Sequence, residues 1–134
     1  MRRTCVALLL ASCAGCGDGP TSPAGTVPVG AWGGDHVRLT IEATSATVEF
    51  DCAHGTIPAP VAVDRGQFAV TGTYVAEHGG PIRLDEIPLE QPARYSGAVD
   101  HGRMTLQVRL SSGGADLGPY TLSLGSPGRV FKCL

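Results

Sequence analysis

The stretch 93–110 decides the fold, and it reads Ala-Arg-Tyr-Ser-Gly-Ala-Val-Asp-His-Gly-Arg-Met-Thr-Leu-Gln-Val-Arg-Leu. Its second half alternates polar and apolar side chains, which on a β-strand places the apolar ones on one face. Those apolar residues are Met104, Leu106, Val108 and Leu110. The turn sequence Asp100-His101-Gly102 separates this half from residues 93–99. The stretch therefore predicts a β-hairpin with one buried face.

Similar alternation recurs along much of the chain. It predicts about eight strands, at 36–42, 46–52, 61–63, 67–75, 93–99, 103–110, 119–124 and 129–133. After Cys16 the sequence has no apolar stripe of helical spacing long enough for a helix. We expect an all-β domain, a small antiparallel up-and-down β-barrel of about eight strands, because closure removes exposed strand edges. The longest connection, 77–92, contains three prolines that interrupt any strand or helix, and the sequence assigns it no role.

The first residues have the form of an export signal. Arg2 and Arg3 precede the apolar run 6–11, which is too short to cross a bilayer because a spanning helix needs about 20 apolar residues. The segment resembles a bacterial lipoprotein signal, in which a cysteine after two small residues is diacylated and becomes the mature N-terminus. That resemblance implies a signal peptide over 1–16 with lipid attachment at Cys16, or alternatively at Cys13.

Residues 17–29 are rich in Gly, Pro and Ser and bury little apolar surface, so they predict a flexible tether. The β-barrel domain is then expected over 30–134. Together with the signal, this organisation implies a protein of the bacterial cell envelope, attached to the membrane through its N-terminal lipid and facing the periplasm or the cell surface.

Charge and motifs exclude two classes of function. The formal charge of the whole chain is −2, and without Arg2 and Arg3 eight basic residues face twelve acidic ones, a charge of −4. Nucleic acid is therefore not an expected partner. Ser, His and Asp residues occur without a nucleophile motif such as Gly-x-Ser-x-Gly, so we expect no enzyme activity.

Cys52 and Cys133 form an even pair in an exported domain, which predicts a disulfide. Strand direction alternates in an up-and-down barrel, so both cysteines are expected at the same end. A bridge closing a loop of this length contributes on the order of 4 kcal/mol in the chain-entropy model.

Three histidines are expected at that same end, namely His36, His54 and His78. Imidazoles with nearby carboxylates suit Zn²⁺ or Cu²⁺, so one hypothesis is a metal site. The alternative is that His54-Gly55 and His78-Gly79 are turn pairs, because His tolerates left-handed backbone and Gly adopts positive φ freely.

Tyr74, Tyr95 and Met104 are expected on inward faces. They are candidates for lining a ligand cavity, and the competing interpretation is that they fill the interior of a small barrel.

Two family resemblances bear on the fold. Gly30-Ala31-Trp32 before the first predicted strand, with 70–74 and 93–97 later, resembles the pattern of avidins and lipocalins, which implies an up-and-down barrel. The residues around Cys52 and Cys133, with Ala93-Arg94-Tyr95-Ser96, are similar to bacterial lipoproteins that inhibit lysozyme. This second resemblance implies an inhibitor of a cell-wall lytic enzyme.

The sequence thus favours a non-catalytic binding or interaction module that requires no cofactor. Its partner is expected to be a small apolar ligand or an envelope protein. The alternatives are metal binding through the three histidines and inhibition of a lytic enzyme.

Overall fold

The computed structural model describes residues 25–134. The predicted signal 1–16 with Cys16 and Cys13, and tether residues 17–24, lie outside the described residues. Ten strands are present: β1 Gly25–Thr26, β2 Gly30–Gly34, β3 Val37–Ile41, β4 Ser45–Phe50, β5 Ala53–Pro58, β6 Ala62–Val63, β7 Gln67–Ala76, β8 Glu90–Asp100, β9 Arg103–Leu110 and β10 Asp116–Leu124. Within this part of the chain, no helix is long and apolar enough to span a bilayer.

Eight of these strands form a closed antiparallel barrel in the order β10-β2-β3-β4-β5-β7-β8-β9. The predicted hairpin is β8–β9, with Asp100 paired to Arg103 and a turn at His101 and Gly102, both at positive φ. Alternate residues along each strand face inward, as the period of a strand requires. The predicted all-β barrel is confirmed.

The boundaries of several strands differ from prediction. Residues 53–60 lie between two predicted strands and contain a glycine and two prolines, which predicts a loop, yet 53–58 is strand β5, with Ala53, Gly55 and Ile57 facing inward. Residues 30–34 form β2, which the alternation pattern did not predict because three of its five residues are glycines. The predicted strand 129–133 is wrong, because this segment contributes one isolated bridge between Asp35 and Arg129. The predicted strand 61–63 is β6, which pairs with β1 and not with the barrel.

The chain enters the barrel at the end opposite the disulfide, and we call this the entry end. Here β1 pairs with β6, and Val27 donates its N–H to the Val61 carbonyl at 2.9 Å. Val27 is 2 % exposed, and the Pro28 carbonyl accepts from the Trp32 indole N–H at 3.0 Å. Residues 25–29, the last part of the segment predicted as a tether, are therefore held against the barrel by burial and hydrogen bonds.

The interior of the barrel is packed with large side chains. The largest that are fully buried are Trp32, Tyr95, Met104, Leu106, Leu122, Val37, Val48 and Val108. An eight-stranded barrel is just wide enough for side chains to fill it, and these residues do so.

Tyr95 packs at one of the two narrowest seams of the barrel, since two residue pairs join β5 to β7 and two join β10 to β2. Its hydroxyl donates to the Thr73 carbonyl at 2.6 Å. A Cβ at Gly55 would meet this hydroxyl, and a Cβ at Gly72 would lie 3.1 Å from the ring. A Cβ at either position would also lie 2.2 Å from a carbonyl oxygen of the facing strand, so glycine lets the two backbones approach and leaves room for the Tyr95 side chain.

After β10 the chain runs back to the opposite end of the barrel, and we call residues 125–134 the C-terminal strap. It packs against the outside of β2, where a Cβ at Gly33 would collide with Ser126 and Gly128. The strap ends at Cys133, which is bonded to Cys52 with Cα atoms 5.0 Å apart. The bridge is compatible with the barrel because Cys133 lies on this strap and not in a barrel strand.

Replacing both bridged residues, Cys52→Ser with Cys133→Ser, should lower the free energy of unfolding by about 4 kcal/mol. The cysteines are 81 residues apart, so the reduced unfolded chain gains substantial freedom. Urea denaturation followed by tryptophan fluorescence measures the change. The wild type under reducing conditions is the control and should lose a similar amount, whereas a loss below about 1 kcal/mol would contradict the proposed contribution.

Candidate functional site

One end of the barrel gathers the residues singled out from the sequence. This disulfide end is formed by the turns 35–36 and 51–52, by the loop 111–115 and by residues 77–89, which we call the rim loop. His36, His54 and His78 all lie here, in turns or next to strand ends, together with the disulfide. His36 and Cys52 adopt positive φ values of 67° and 55°.

Three carboxylates of this end hold the C-terminal strap. Asp35 accepts two hydrogen bonds from the Arg129 guanidinium, at 2.8 and 3.1 Å. Asp51 accepts the Phe131 backbone N–H at 2.7 Å, and Glu77 accepts Lys132 Nζ at 3.1 Å. The turns 35–36 and 51–52 and the rim loop thus contribute one carboxylate each to the strap.

Two of those carboxylates also pair with histidines. His36 Nδ1 lies 2.5 Å from Asp51, and His54 Nδ1 lies 2.7 Å from Glu77. The Phe131 N–H and then His36 keep the pKa of the Asp51 carboxyl below its ordinary value. Desolvation raises the pKa of Glu77, but the bonds from His54 and Lys132 outweigh it and the net shift is downward. Both carboxylates are therefore ionised at neutral pH.

The metal hypothesis finds no geometry to support it. His36, His54 and His78 face three different carboxylates, those of Asp51, Glu77 and Glu86. Across residues 25–134, no group of three or more His, Cys, Asp or Glu side chains is arranged to hold a metal ion. The histidines act in this structure as partners of carboxylates.

The rim loop is folded back on itself by His78. Its Nδ1 lies 3.0 Å from the Gly79 carbonyl, and its Nε2 hydrogen-bonds to Glu86. Only the imidazolium carries an N–H on both nitrogens, so both bonds form in the charged state. The Gly79 carbonyl and then Glu86 accordingly raise the pKa of His78, while His78 lowers that of Glu86.

Large apolar side chains project from this loop into solvent. Ile82, Leu84, Ile87 and Leu89 are each at least 80 % exposed, and we call these four the rim surface. Phe131 and Leu134 of the strap are also exposed at this end. Thus six of the eight large exposed hydrophobic residues in 25–134 lie at the disulfide end. Concentrated apolar exposure of this kind is typical of binding surfaces.

A cleft of about 510 Å³ lies beneath the rim loop. Its apolar walls come from Val75, Ile82, Ile87, Pro88 and Leu89, and its polar groups are His54, Glu77, His78 and Glu86, with Cys133 beside them. A cleft with apolar walls and a few polar groups is the usual form of a ligand site.

The three predicted cavity-lining residues have different positions. Tyr95 and Met104 are at most 1 % exposed and belong to the packed core. Tyr74 is partly buried, with its ring centroid 5.9 Å from that of Phe50, and the Tyr120 ring centroid lies 5.4 Å from that of Phe50. Burial, reinforced by Glu77, raises the pKa of the Tyr74 phenol. These aromatic rings fill the interior towards the disulfide end.

Comparison with known proteins found no matching family model, no matching curated protein and no matching solved structure. The fold class is nevertheless defined by the structure itself. It is a closed, eight-stranded antiparallel β-barrel, an architecture consistent with the lipocalin and avidin resemblance.

Sequence reasoning missed the rim loop as a site. A signal was available in residues 77–92, because four large apolar residues occur among prolines that prevent a strand or helix. Side chains outside a strand or helix are not directed towards the core by a regular backbone, so the exposure of these four residues could have been expected.

The pairing of His78 with Glu86 makes the rim loop sensitive to pH. The pKa of His78 is raised, so its contribution to the stability of the folded loop is complete below the ordinary pKa of 6.5. That contribution is lost as pH rises through the raised pKa. The pKa of Glu86 is lowered, so its contribution is complete above the ordinary 4.5 and is lost as pH falls through the lowered value. The loop should be most ordered between pH 4.5 and 6.5.

An NMR titration of the His78 ring measures this effect, and amide exchange over 80–86 reports the opening of the loop. Glu86→Gln should move the His78 pKa towards 6.5 and speed exchange. Asp85→Asn, which removes a charge without removing the bond to His78, is the matched control and should change both less. An unchanged His78 pKa in Glu86→Gln would contradict the pairing.

Proposed function

We propose that this chain is a lipid-anchored protein of the bacterial cell envelope whose barrel acts without catalysis as a binding module. Its binding site is the rim surface with the cleft beneath it. The anchor rests on the signal-like segment and Cys16, and the binding role rests on the disulfide end.

The observation that carries the proposal is the exposure of Ile82, Leu84, Ile87 and Leu89 on one short loop. Leaving four such side chains in water costs free energy that burial against a partner would recover, on the order of 1.5 to 3 kcal/mol for each fully buried side chain. The barrel does not need them for its core, because the interior is already filled.

The loop is also preorganised for contact. The bond between His78 and Glu86 closes its base, and Glu86 N–H donates to the Arg83 carbonyl at 3.1 Å in a turn that carries Leu84. The disulfide and the strap fix the barrel end beneath it. A surface that is ordered before binding loses less conformational entropy when a partner arrives.

The proposal is tested by placing a photo-crosslinking amino acid at position 84 of the full chain in bacterial cells. Irradiation should give a discrete adduct with a protein or a small molecule, because the side chain at 84 lies on the binding surface. Position 69, exposed in β7 near the entry end, is the matched control and should give none. Absence of an adduct at 84, or equal adducts at both positions, would overturn the proposed site.

The same cells test the anchor. Before irradiation the wild-type chain should sediment with membranes, and Cys16→Ser should shift it to the soluble fraction, because a lipidated cysteine holds the protein at the bilayer. If both forms remained soluble, the lipid-anchored part of the proposal would fall while the binding site could still stand. If both remained with membranes, the assignment of Cys16 would fall.

A further inference from the structure

The net charge of the described domain is concentrated in one segment. Residues 25–134 contain eleven acidic and eight basic residues, a net charge of −3 with His neutral. Segment 77–90 alone contains Glu77, Asp85, Glu86 and Glu90 against Arg83, which is also −3. The remainder of the domain is therefore formally neutral, and the acidic excess coincides with the exposed apolar loop.

Two of these four acidic residues already have partners within the domain. Glu77 binds His54 and Lys132, and Glu86 binds His78. Asp85, Glu90 and Arg83 of this segment are exposed and take part in none of the ion pairs found among residues 25–134, which leaves an unpaired charge of −1. The two carboxylates are Asp85 and Glu90. Their charges flank the rim surface and face solvent.

We infer that the partner of the rim surface is a protein that presents an apolar pocket bordered by Lys or Arg side chains. This inference rests on the proposed function and specifies the chemistry of its partner. Leu84 and its apolar neighbours would enter the pocket, while Asp85 and Glu90 pair with the surrounding cations. Such complementarity suppresses wrong partners and speeds association.

Charge argues against two other occupants of this surface. A second copy of the chain would oppose one acidic loop to another, which is unfavourable. A membrane with anionic lipids repels the same carboxylates, since its surface potential attracts basic segments.

The position of the chain entry also favours a protein over the membrane. Residues 25–29 enter at the end opposite the rim loop, and β7 runs between the two ends over ten residues. A strand of that length, tilted as in barrels, spans about 25 Å. An N-terminal anchor would therefore attach the domain at the entry end, with the rim surface at the far end of the barrel.

The test uses the full chain carrying Cys13→Ser and Cys16→Ser, so that no lipid is attached, and three short fluorescent peptides. The first contains leucine and lysine, the second leucine and glutamate, and the third serine and lysine in the same pattern. Fluorescence anisotropy should show the first peptide binding about tenfold more tightly than either of the others, because tight binding requires both the apolar contact of leucine and the charge pairing of lysine.

Variants locate the charge contribution. Asp85→Asn with Glu90→Gln should weaken binding of the leucine-lysine peptide about three- to tenfold, and added salt should weaken wild-type binding as well. Asp64→Asn with Asp100→Asn removes the same charge at the entry end and should leave binding unchanged. Equal loss in both double variants, or equal binding of the lysine and glutamate peptides, would overturn the inference.

Sedimentation with phosphatidylglycerol vesicles provides the membrane arm. The wild type should stay in solution, and co-sedimentation that Leu84→Ser abolishes would assign the surface to lipid and overturn the protein partner. A crosslink at position 84 without selective peptide binding would reject only the cationic partner. Failure of both experiments would reject the binding site itself.

Discussion

The packing of Tyr95 across the seam between β5 and β7 is the contact on which the rest of the structure depends. Only two residue pairs join these strands, so backbone hydrogen bonds alone close the barrel weakly here. The Tyr95 ring fits against Gly55 and Gly72, and its hydroxyl donates to the Thr73 carbonyl. Burial raises the pKa of this phenol, so the hydroxyl keeps its proton and continues to donate. Tyr95 thus closes the sheet from inside the barrel, together with the hydrogen bonds of Thr56 to the Thr73 hydroxyl.

A filled interior determines where a partner can bind. Tyr95, Trp32 and Met104 occupy the space that a hollow barrel would offer a ligand. The apolar surface available for binding lies instead on the rim loop, which the strap and the disulfide support from below. Carboxylates have two roles at this end, because Asp35, Asp51 and Glu77 hold the strap while Asp85 and Glu90 face solvent.

Much of the barrel could be predicted because strand alternation is a local property of sequence. The runs 37–41 and 103–110 show this alternation clearly. The predicted domain contains only two cysteines, so the bridge between Cys52 and Cys133 could also be predicted. β2 and β5 were hidden because Gly30, Gly33 and Gly55 are in strands for tertiary reasons. Gly55 faces the Tyr95 hydroxyl and Gly33 lies under the strap, and neither contact can be seen from neighbouring residues.

The candidate site was less accessible to prediction for a related reason. The alternating direction of barrel strands predicted that His36, His54 and His78 lie at one end. Their hydrogen-bond partners, however, depend on side-chain geometry, which the sequence does not show. Asp51, Glu77 and Glu86 each pair with one histidine. The three histidines therefore have separate partners, although their predicted positions had suggested one shared metal site. The rim loop has no periodic pattern, so only its composition pointed to it.

The central claim is that the barrel interior is solid and that binding occurs outside it, on the rim loop. NMR titration of the full chain carrying Cys13→Ser and Cys16→Ser with a small uncharged apolar probe such as 1-octanol tests this most directly. The account predicts shift changes confined to residues 80–89, 131 and 134. Changes at the Trp32 indole and the Met104 methyl group, with the rim loop unaffected, would contradict it.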